Sequence, residues 1–188
     1  MISIAVTGSF CSGKSTVLKM LKKLGLKTMD SDKIVAKLYK TKKVWKKLEK
    51  AFGTHEKKEI SKIVFADSNS MKKLEMIFHP LVLEEIKKNL FSLRKNKIVA
   101  VEIPLFFEAK EFQNLADFSV CVFCPKKQQV ERAIKKGYTR KQALERINAQ
   151  LSLKQKIKKS YFSINNNGTK AQTIKKLKEI IGVLECLK

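Results

Sequence analysis

The chain has 188 residues, of which 44% are hydrophobic, and it carries a formal net charge of +24. That length accommodates one α/β domain with insertions, and that apolar content excludes a disordered chain. No apolar run approaches the ~20 residues that span a bilayer, and no signal-peptide layout opens the sequence, so a cytoplasmic globular protein without membrane partners is expected.

Residues 2–7 form an apolar run bounded by glycine and read as a buried parallel strand. Residues 14–24 place Val17, Leu18, Leu21 and Leu24 at helical spacing, and Gly25 stops the helix. Residues 26–29 read as a second short strand, with Asp30 or Ser31 capping the helix that follows. From 34 to 94 the pattern is mostly helical with lysine-rich faces. Phe52-Gly53 breaks it once and His79-Pro80 a second time, Pro80 being suited to the first turn of a new helix. This stretch interrupts the strand–helix alternation and reads as an inserted substrate-binding segment. Residues 98–103 and 118–123 are the next buried strands. Residues 126–136 and 139–160 are helical and join near Gly137. Residues 161–164 form a last short strand, an Asn-rich turn ends at Gly168, and residues 171–187 form a closing helix. Five buried strands with intervening helices predict a parallel sheet covered on both faces, in one domain over 1–188.

The positive charge raises nucleic-acid binding, but the lysines are spread along the whole chain, without an RNA-binding aromatic signature or a helix-turn-helix. The bias reads as compositional, and no nucleic-acid partner is expected. Cys121 and Cys124 form a C-x-x-C, yet they fall in an apolar strand where residues three apart face opposite sides, and no second pair completes a metal site. The chain has four arginines, Arg94, Arg132, Arg140 and Arg146, and the last three lie close together. Arginine is the better bidentate phosphate ligand, so this group is weighed as a functional set against ordinary helix-surface charge.

The chemistry starts at Gly8-Ser9-Phe10-Cys11-Ser12-Gly13-Lys14-Ser15, which matches G-x-x-x-x-G-K-[ST] between a strand and a helix. Glycines let the backbone curl so that successive N–H groups point at phosphate oxygens, and the helix adds the positive end of its dipole. Lys14 reaches the β- and γ-phosphates of ATP, and the Ser15 hydroxyl ligates Mg²⁺. Ligands sit at the carboxyl ends of strands in such sheets, where Asp30 and Asp32 follow the second strand and Glu102 ends the third. Asp30 reads as a helix cap. Asp32 is by position equally a catalytic acid or a first-turn residue. Glu102 reads as a metal-holding acid or an exposed strand end, and Glu108 as a residue that caps or orients the next segment. Arg132 and Arg140 flank Gly137 in a helical hairpin, the layout of a mobile lid over 126–150 that closes on ATP.

With these residues in place, the chain resembles the dephospho-coenzyme A kinase family nearly end to end. Gly8 to Thr16 is similar to the family's G-G-I-G-S-G-K-S-T, and Met29-Asp30-Ser31-Asp32 to its D-A-D element, whose second aspartate implies Asp32 as catalytic base. Phe52-Gly53, Ile63-Val64-Phe65, and Leu74-Glu75 through His79-Pro80-Leu81-Val82 resemble its coenzyme A-binding helical segment. Glu102-Ile103-Pro104-Leu105-Phe106-Phe107-Glu108 resembles D-x-P-L-L-F-E. Gln129 to Arg132 with Arg146-Ile147-x-x-Gln150 resembles the lid, and Ile164 to Gly168 the I-D-N-x-G turn near the adenine.

The resemblance implies an α/β, three-layer P-loop NTPase fold with a five-stranded parallel sheet, an inserted helical segment and a helical lid. It implies ATP-dependent phosphorylation of the ribose 3′-hydroxyl of dephospho-coenzyme A, the final step of coenzyme A synthesis, by a monomer or weak oligomer. Asp32, Lys14, Arg140 and Arg132 are the implied catalytic residues. Cys11, Ser12, Gly13, Lys14, Ser15, Thr16, Asn165 and Gly168 would bind nucleotide, His79, Pro104 and Leu105 the acceptor with Asp32, and Ser15 with Glu102 the Mg²⁺. The runner-up is another small P-loop kinase acting on a nucleoside monophosphate or similar molecule. The sequence departs from the family pattern at Cys11, Asn165, Glu102 and Lys136. Cys11 replaces a glycine, which is compatible only if that position needs no positive φ.

Overall fold

The central strand β1 (Ile2–Thr7) is buried along nearly all its length because it pairs in parallel on both sides, with β3 (Ile98–Glu102) and with β4 (Phe118–Phe123). A strand covered on both faces and both edges has no use for polar alternation, which is why Ile-Ser-Ile-Ala-Val-Thr reads as a continuous run. The outer strands are β2 (Lys27–Asp30) and β5 (Phe162–Asn165), giving the all-parallel order β2-β3-β1-β4-β5. A computed structural model describes the protein over residues 1–187, the Phe65 side chain excepted, so that part of the Ile63-Val64-Phe65 motif lies outside the described residues.

Side-chain alternation sorts the two faces of the sheet. Ile4, Val6, Ala100, Val120, Val122 and Ile164 pack with Val17, Leu18 and Leu21 of α1 (Lys14–Lys23) and with Leu177, Ile180 and Leu184 of α9 (Lys170–Cys186). Cys121 points the other way, toward Lys156 and Ser160 around α8 (Leu153–Lys159). Burial pushes its thiol up to about 11 against the pull of Lys156. Cys124, also buried, has its thiol raised by desolvation, and both are free cysteines.

The helical hairpin consists of α6 (Lys126–Ile134) and α7 (Arg140–Asn148). One continuous helix was expected over 139–160, but the chain breaks between α7 and α8. Ser152 caps α8, its hydroxyl accepting from Gln155 N while Gln155 Oε1 accepts from Ser152 N. This reciprocal capping box starts a new helix where a continuous apolar pattern had suggested none.

The chain divides into two compact units, Met1–Asp30 with everything from Leu90 onward, and Ser31–Asn89. The second is helical, with α2 (Ser31–Leu38), α3 (Lys42–Phe52), α4 (Lys57–Ala66) and most of α5 (Ser68–Ser92). Val44, Leu48, Ile60, Val64 and Phe78 form its core. The break expected at His79-Pro80 is absent, since α5 runs through Pro80. Proline forfeits one backbone hydrogen bond in a helix interior. Leu74, Ile77 and Phe78 before it and Leu81 after it all pack on the same core and carry the helix across. Among the described residues no helix is long and apolar enough to cross a membrane.

Leu48 is fully buried at the centre of the helical unit's core. Leu48→Ala is expected to cost about 2–5 kcal/mol in urea unfolding, and a loss below about 1 kcal/mol would mean the cluster collapses around the gap.

Candidate active site

The loop between β1 and α1 is shaped by two glycines that cannot be replaced. Gly8 has φ 141°, and a methyl group there would run into the Val122 carbonyl of β4. Gly13 has φ 102°, and its methyl would meet the Asn166 amide. The turn closes with Ser12 N donating to Ser9 O (3.2 Å) and Thr16 N to Gly13 O (3.0 Å). Lys14 is only 8% exposed and curls back over the loop, its Nζ donating to Gly8 O (3.1 Å) and Ser9 O (3.0 Å). The Ser12 hydroxyl is buried and has no hydrogen-bond partner among the described residues.

Cys11 overturns the expectation attached to it. It adopts φ 56° and is the one positive-φ residue other than glycine among those described. Left-handed backbone costs an L-residue roughly 1–2 kcal/mol. The side chain is held in place by burial against Val130 and Ala133 of α6 and Ala143 of α7. Burial holds the thiol above its ordinary value, opposed by the field of Lys136, Lys14, Arg132 and Arg146.

At the carboxyl end of the sheet, Asp30, Glu102 and Val6 stand side by side in register on β2, β3 and β1. Glu102 is 2% exposed, and its Oε1 accepts from Ser15 Oγ at 3.2 Å. A hydroxyl and a carboxylate at this spacing, with a second carboxylate one strand away, form a hard oxygen set suited to Mg²⁺. Among the described residues no group of three or more His, Cys, Asp or Glu could hold a metal alone, so water and phosphate oxygens would complete the shell. Beyond β3, Pro104 O accepts from Thr7 Oγ1 (3.3 Å) and Lys156 Nζ (3.1 Å), and Leu105 follows it.

The expected arginines separate. Arg132 lies on the loop, with Nη1 donating to Ser12 O (3.0 Å) and Nη2 to Asn166 O (2.8 Å). Arg140 is exposed at the start of α7. Arg146 stands over the rings of Tyr138 (4.8 Å) and Phe10 (5.5 Å). Asn165 is exposed and closes its own turn, accepting from Asn167 N. Its neighbour Asn166 is buried and donates from Nδ2 to Ser12 O at 3.0 Å. Asn166 and Gln150, whose Oε1 accepts from Phe10 N at 2.9 Å, lie inside the turn and lid motifs read from the sequence, but neither was assigned a role of its own there. Strand alternation past the buried Ile164 would have picked out Asn166 as the inward neighbour. Asp32, in the first turn of α2, and His79, on α5, belong to the helical unit.

Two cavities flank the loop. One of about 440 Å³ is lined by Cys11, Gly13, Thr16, Arg132, Asn166 and Gly168, with Lys135, Lys136 and Lys170 at its rim. The other, of about 310 Å³, is lined by Ser9, Lys126, Gln129, Asn148, Gln150 and Leu151, among others. The loop therefore presents phosphate-binding backbone between two spaces of ligand size.

The family model described as dephospho-CoA kinase matches residues 2–172. A dephospho-CoA kinase from Carboxydothermus hydrogenoformans is 33% identical, covering 95% of this chain and 92% of that protein. The solved dephospho-CoA kinase from Campylobacter jejuni superposes with a TM-score of 0.72 at 27% identity, over 99% of this chain and 98% of that one. Shikimate kinase from Acinetobacter baumannii shares the fold, with a TM-score of 0.64 at 14% identity over 97% and 94% of the two chains.

Substitutions at Cys11 test the loop's geometry. Cys11→Gly is expected to change unfolding free energy by less than about 1 kcal/mol, because relief of left-handed strain offsets the packing lost. Cys11→Val, β-branched and disfavoured at positive φ, is expected to cost more than about 2 kcal/mol. Equal stability of the two in urea titrations would remove the strain argument.

Proposed function

The chain belongs to the dephospho-CoA kinase family, and we propose on that footing that it transfers the γ-phosphoryl group of ATP to the ribose 3′-hydroxyl of dephospho-coenzyme A. The products are ADP and coenzyme A. The observation that carries this reading is the reach of the family match, which runs from β1 to the start of α9 and takes in the phosphate loop, the helical unit and the hairpin.

The chain's own groups divide the work. The loop N–H groups and the Ser12 hydroxyl receive phosphate oxygens. Lys14 already points its ammonium at two loop carbonyls, and an arriving phosphate offers it a stronger, charged partner. Ser15 and Glu102 would hold Mg²⁺, which supplies charge neutralisation at the β- and γ-oxygens when bound. The larger cavity, with Thr16, Asn166 and Gly168 in its wall, suits the nucleoside. Asp32 orients the acceptor hydroxyl and takes its proton, and His79, Pro104 and Leu105 contact the acceptor. Arg132 fixes the loop from α6, while Arg140, exposed at the hairpin, needs closure to reach the transferring group. Asn165, with its side chain spent on its own turn, would contribute to the nucleotide site through the turn's shape. The setting is the cytoplasm, with no nucleic-acid or membrane partner, and the protein works as a monomer or weak oligomer.

A coupled ADP-release assay with dephospho-coenzyme A, AMP, CMP and shikimate offered in parallel tests the substrate. Turnover with dephospho-coenzyme A alone is expected, and turnover restricted to another acceptor would sink the assignment. Within the same assay, Lys14→Ala is expected to lower kcat by about 10²-fold or more. Asp32→Asn is expected to lower kcat by about 10²–10⁴-fold with ATP affinity nearly unchanged. An unaltered kcat in either variant would remove that residue from the mechanism.

A further inference from the structure

Lys156 is fully buried, with 0% exposure, in a chain whose other lysines are mostly spread over its surface. Its Nζ pairs with Glu108 Oε1 at 2.8 Å and donates to Pro104 O at 3.1 Å. Glu108 Oε1 also accepts from Leu151 N at 3.0 Å, and its other oxygen, Oε2, is buried without a hydrogen-bond partner among the described residues. Stability does not account for such a pair. Desolvating two charges costs about as much as their attraction returns, and neutral residues of similar size often serve as well or better.

The connections of the pair are what set it apart. On one side, Pro104 lies two residues beyond Glu102, the acid bonded to Ser15, and its carbonyl also receives Thr7 Oγ1 from the last residue of β1. On the other side, Leu151 follows Gln150, whose side chain holds the Phe10 N–H of the phosphate loop. Phe10 in turn packs edge-on against Tyr138 at 5.3 Å, in the turn of the hairpin. One buried cation and one carboxylate thus join the segment that follows Glu102 to the segment that grips the loop.

We infer that Lys156 and Glu108 are positioning residues for phosphoryl transfer, a charged strap that sets the phosphate loop and the Glu102 segment in mutual register. The inference rests on the kinase reading above. Neither residue touches the reacting atoms. Each acts through its neighbours, Lys156 through Pro104 and Glu108 through Leu151 and Gln150. Misplacing reacting groups by about 1 Å is enough to lower a rate about 10²-fold.

The test separates positioning from simple support of the fold. Lys156→Met leaves the Glu108 charge unpaired, so both thermal stability and kcat are expected to fall. Adding Glu108→Gln removes that charge and keeps an acceptor for Leu151. The double variant is expected to regain thermal stability while kcat stays about 10- to 100-fold low, with ATP affinity by equilibrium binding nearly unchanged. Recovery of kcat together with stability would overturn the proposal, and so would loss of ATP affinity in step with kcat. If Lys156→Met does not fold, the double variant carries the test alone. A double variant that also fails to fold would overturn the proposal, because the pair would then be a requirement of the fold. Wild-type protein assayed alongside keeps the two readings apart. No wild-type turnover with dephospho-coenzyme A defeats the substrate assignment, and the strap is then judged on whichever acceptor the protein uses.

Discussion

The Ser12 carbonyl oxygen accepts two donors at once, Arg132 Nη1 from α6 and Asn166 Nδ2 from the turn after β5. Much of the site follows from that double anchor. It pulls three elements distant in sequence onto one peptide group. It brings the Asn166 amide so close to Gly13 that no side chain fits there. Beside it, Cys11 holds its left-handed conformation with its side chain packed on Val130, Ala133 and Ala143. A loop clamped in this way keeps its phosphate-binding N–H groups oriented before any ligand arrives. Phosphoryl transfer asks an enzyme mainly to stabilise charge, and donors already in place do so without reorganising as the reaction proceeds.

The strands were legible because a parallel sheet buried on both faces leaves uninterrupted apolar runs, and β1 and β4 fall where those runs lie. The phosphate loop was legible because backbone curvature demands glycine at fixed spacing. What escaped the sequence has a physical pattern. Pro80 reads as a stop only while its neighbours are unknown, and the packing of Leu74, Ile77, Phe78 and Leu81 outweighs one missing hydrogen bond. The split between α7 and α8 was written in Ser152 and Gln155 but hidden inside a longer helical periodicity. Cys11 escapes because a local steric rule is blind to the tertiary contacts that hold the residue in place. Asn165 and Asn166 differ by one position, and only strand register decides which of them turns inward.

Two hydrogen-bonded routes leave the loop and do different things. Arg132 and Asn166 grip it at Ser12, beside the larger cavity. Gln150 grips it at Phe10, beside the smaller one. Lys14 spans the middle, tied to the carbonyls of Gly8 and Ser9. A loop held at both ends and loaded in the centre has little freedom to relax when a substrate binds. The hairpin adds a further hold, with its Tyr138 and Arg146 standing against Phe10.

The arginines make the same point through chemistry. In a chain so rich in lysine, the four arginines would be unremarked if charge were their only use. Arg132 spends two different nitrogens on two different carbonyls, a fork that a single ammonium cannot reproduce at both distances. Arg146 lies over two aromatic rings, where a planar, weakly hydrated cation is favoured. Arg94 lies over Phe91 at 4.2 Å and donates Nη1 to the same residue's carbonyl. Three of the four therefore occupy places that need shape as well as charge, and for Arg132 and Arg146 that place is the phosphate loop. Arg140, exposed at the start of α7, makes no such contact among the described residues. Three of the four arginines, Arg132, Arg140 and Arg146, thus lie at the loop or its hairpin, while lysine carries the bulk charge of the surface. The buried Lys156 is the exception, a point charge turned toward a carboxylate and a carbonyl together.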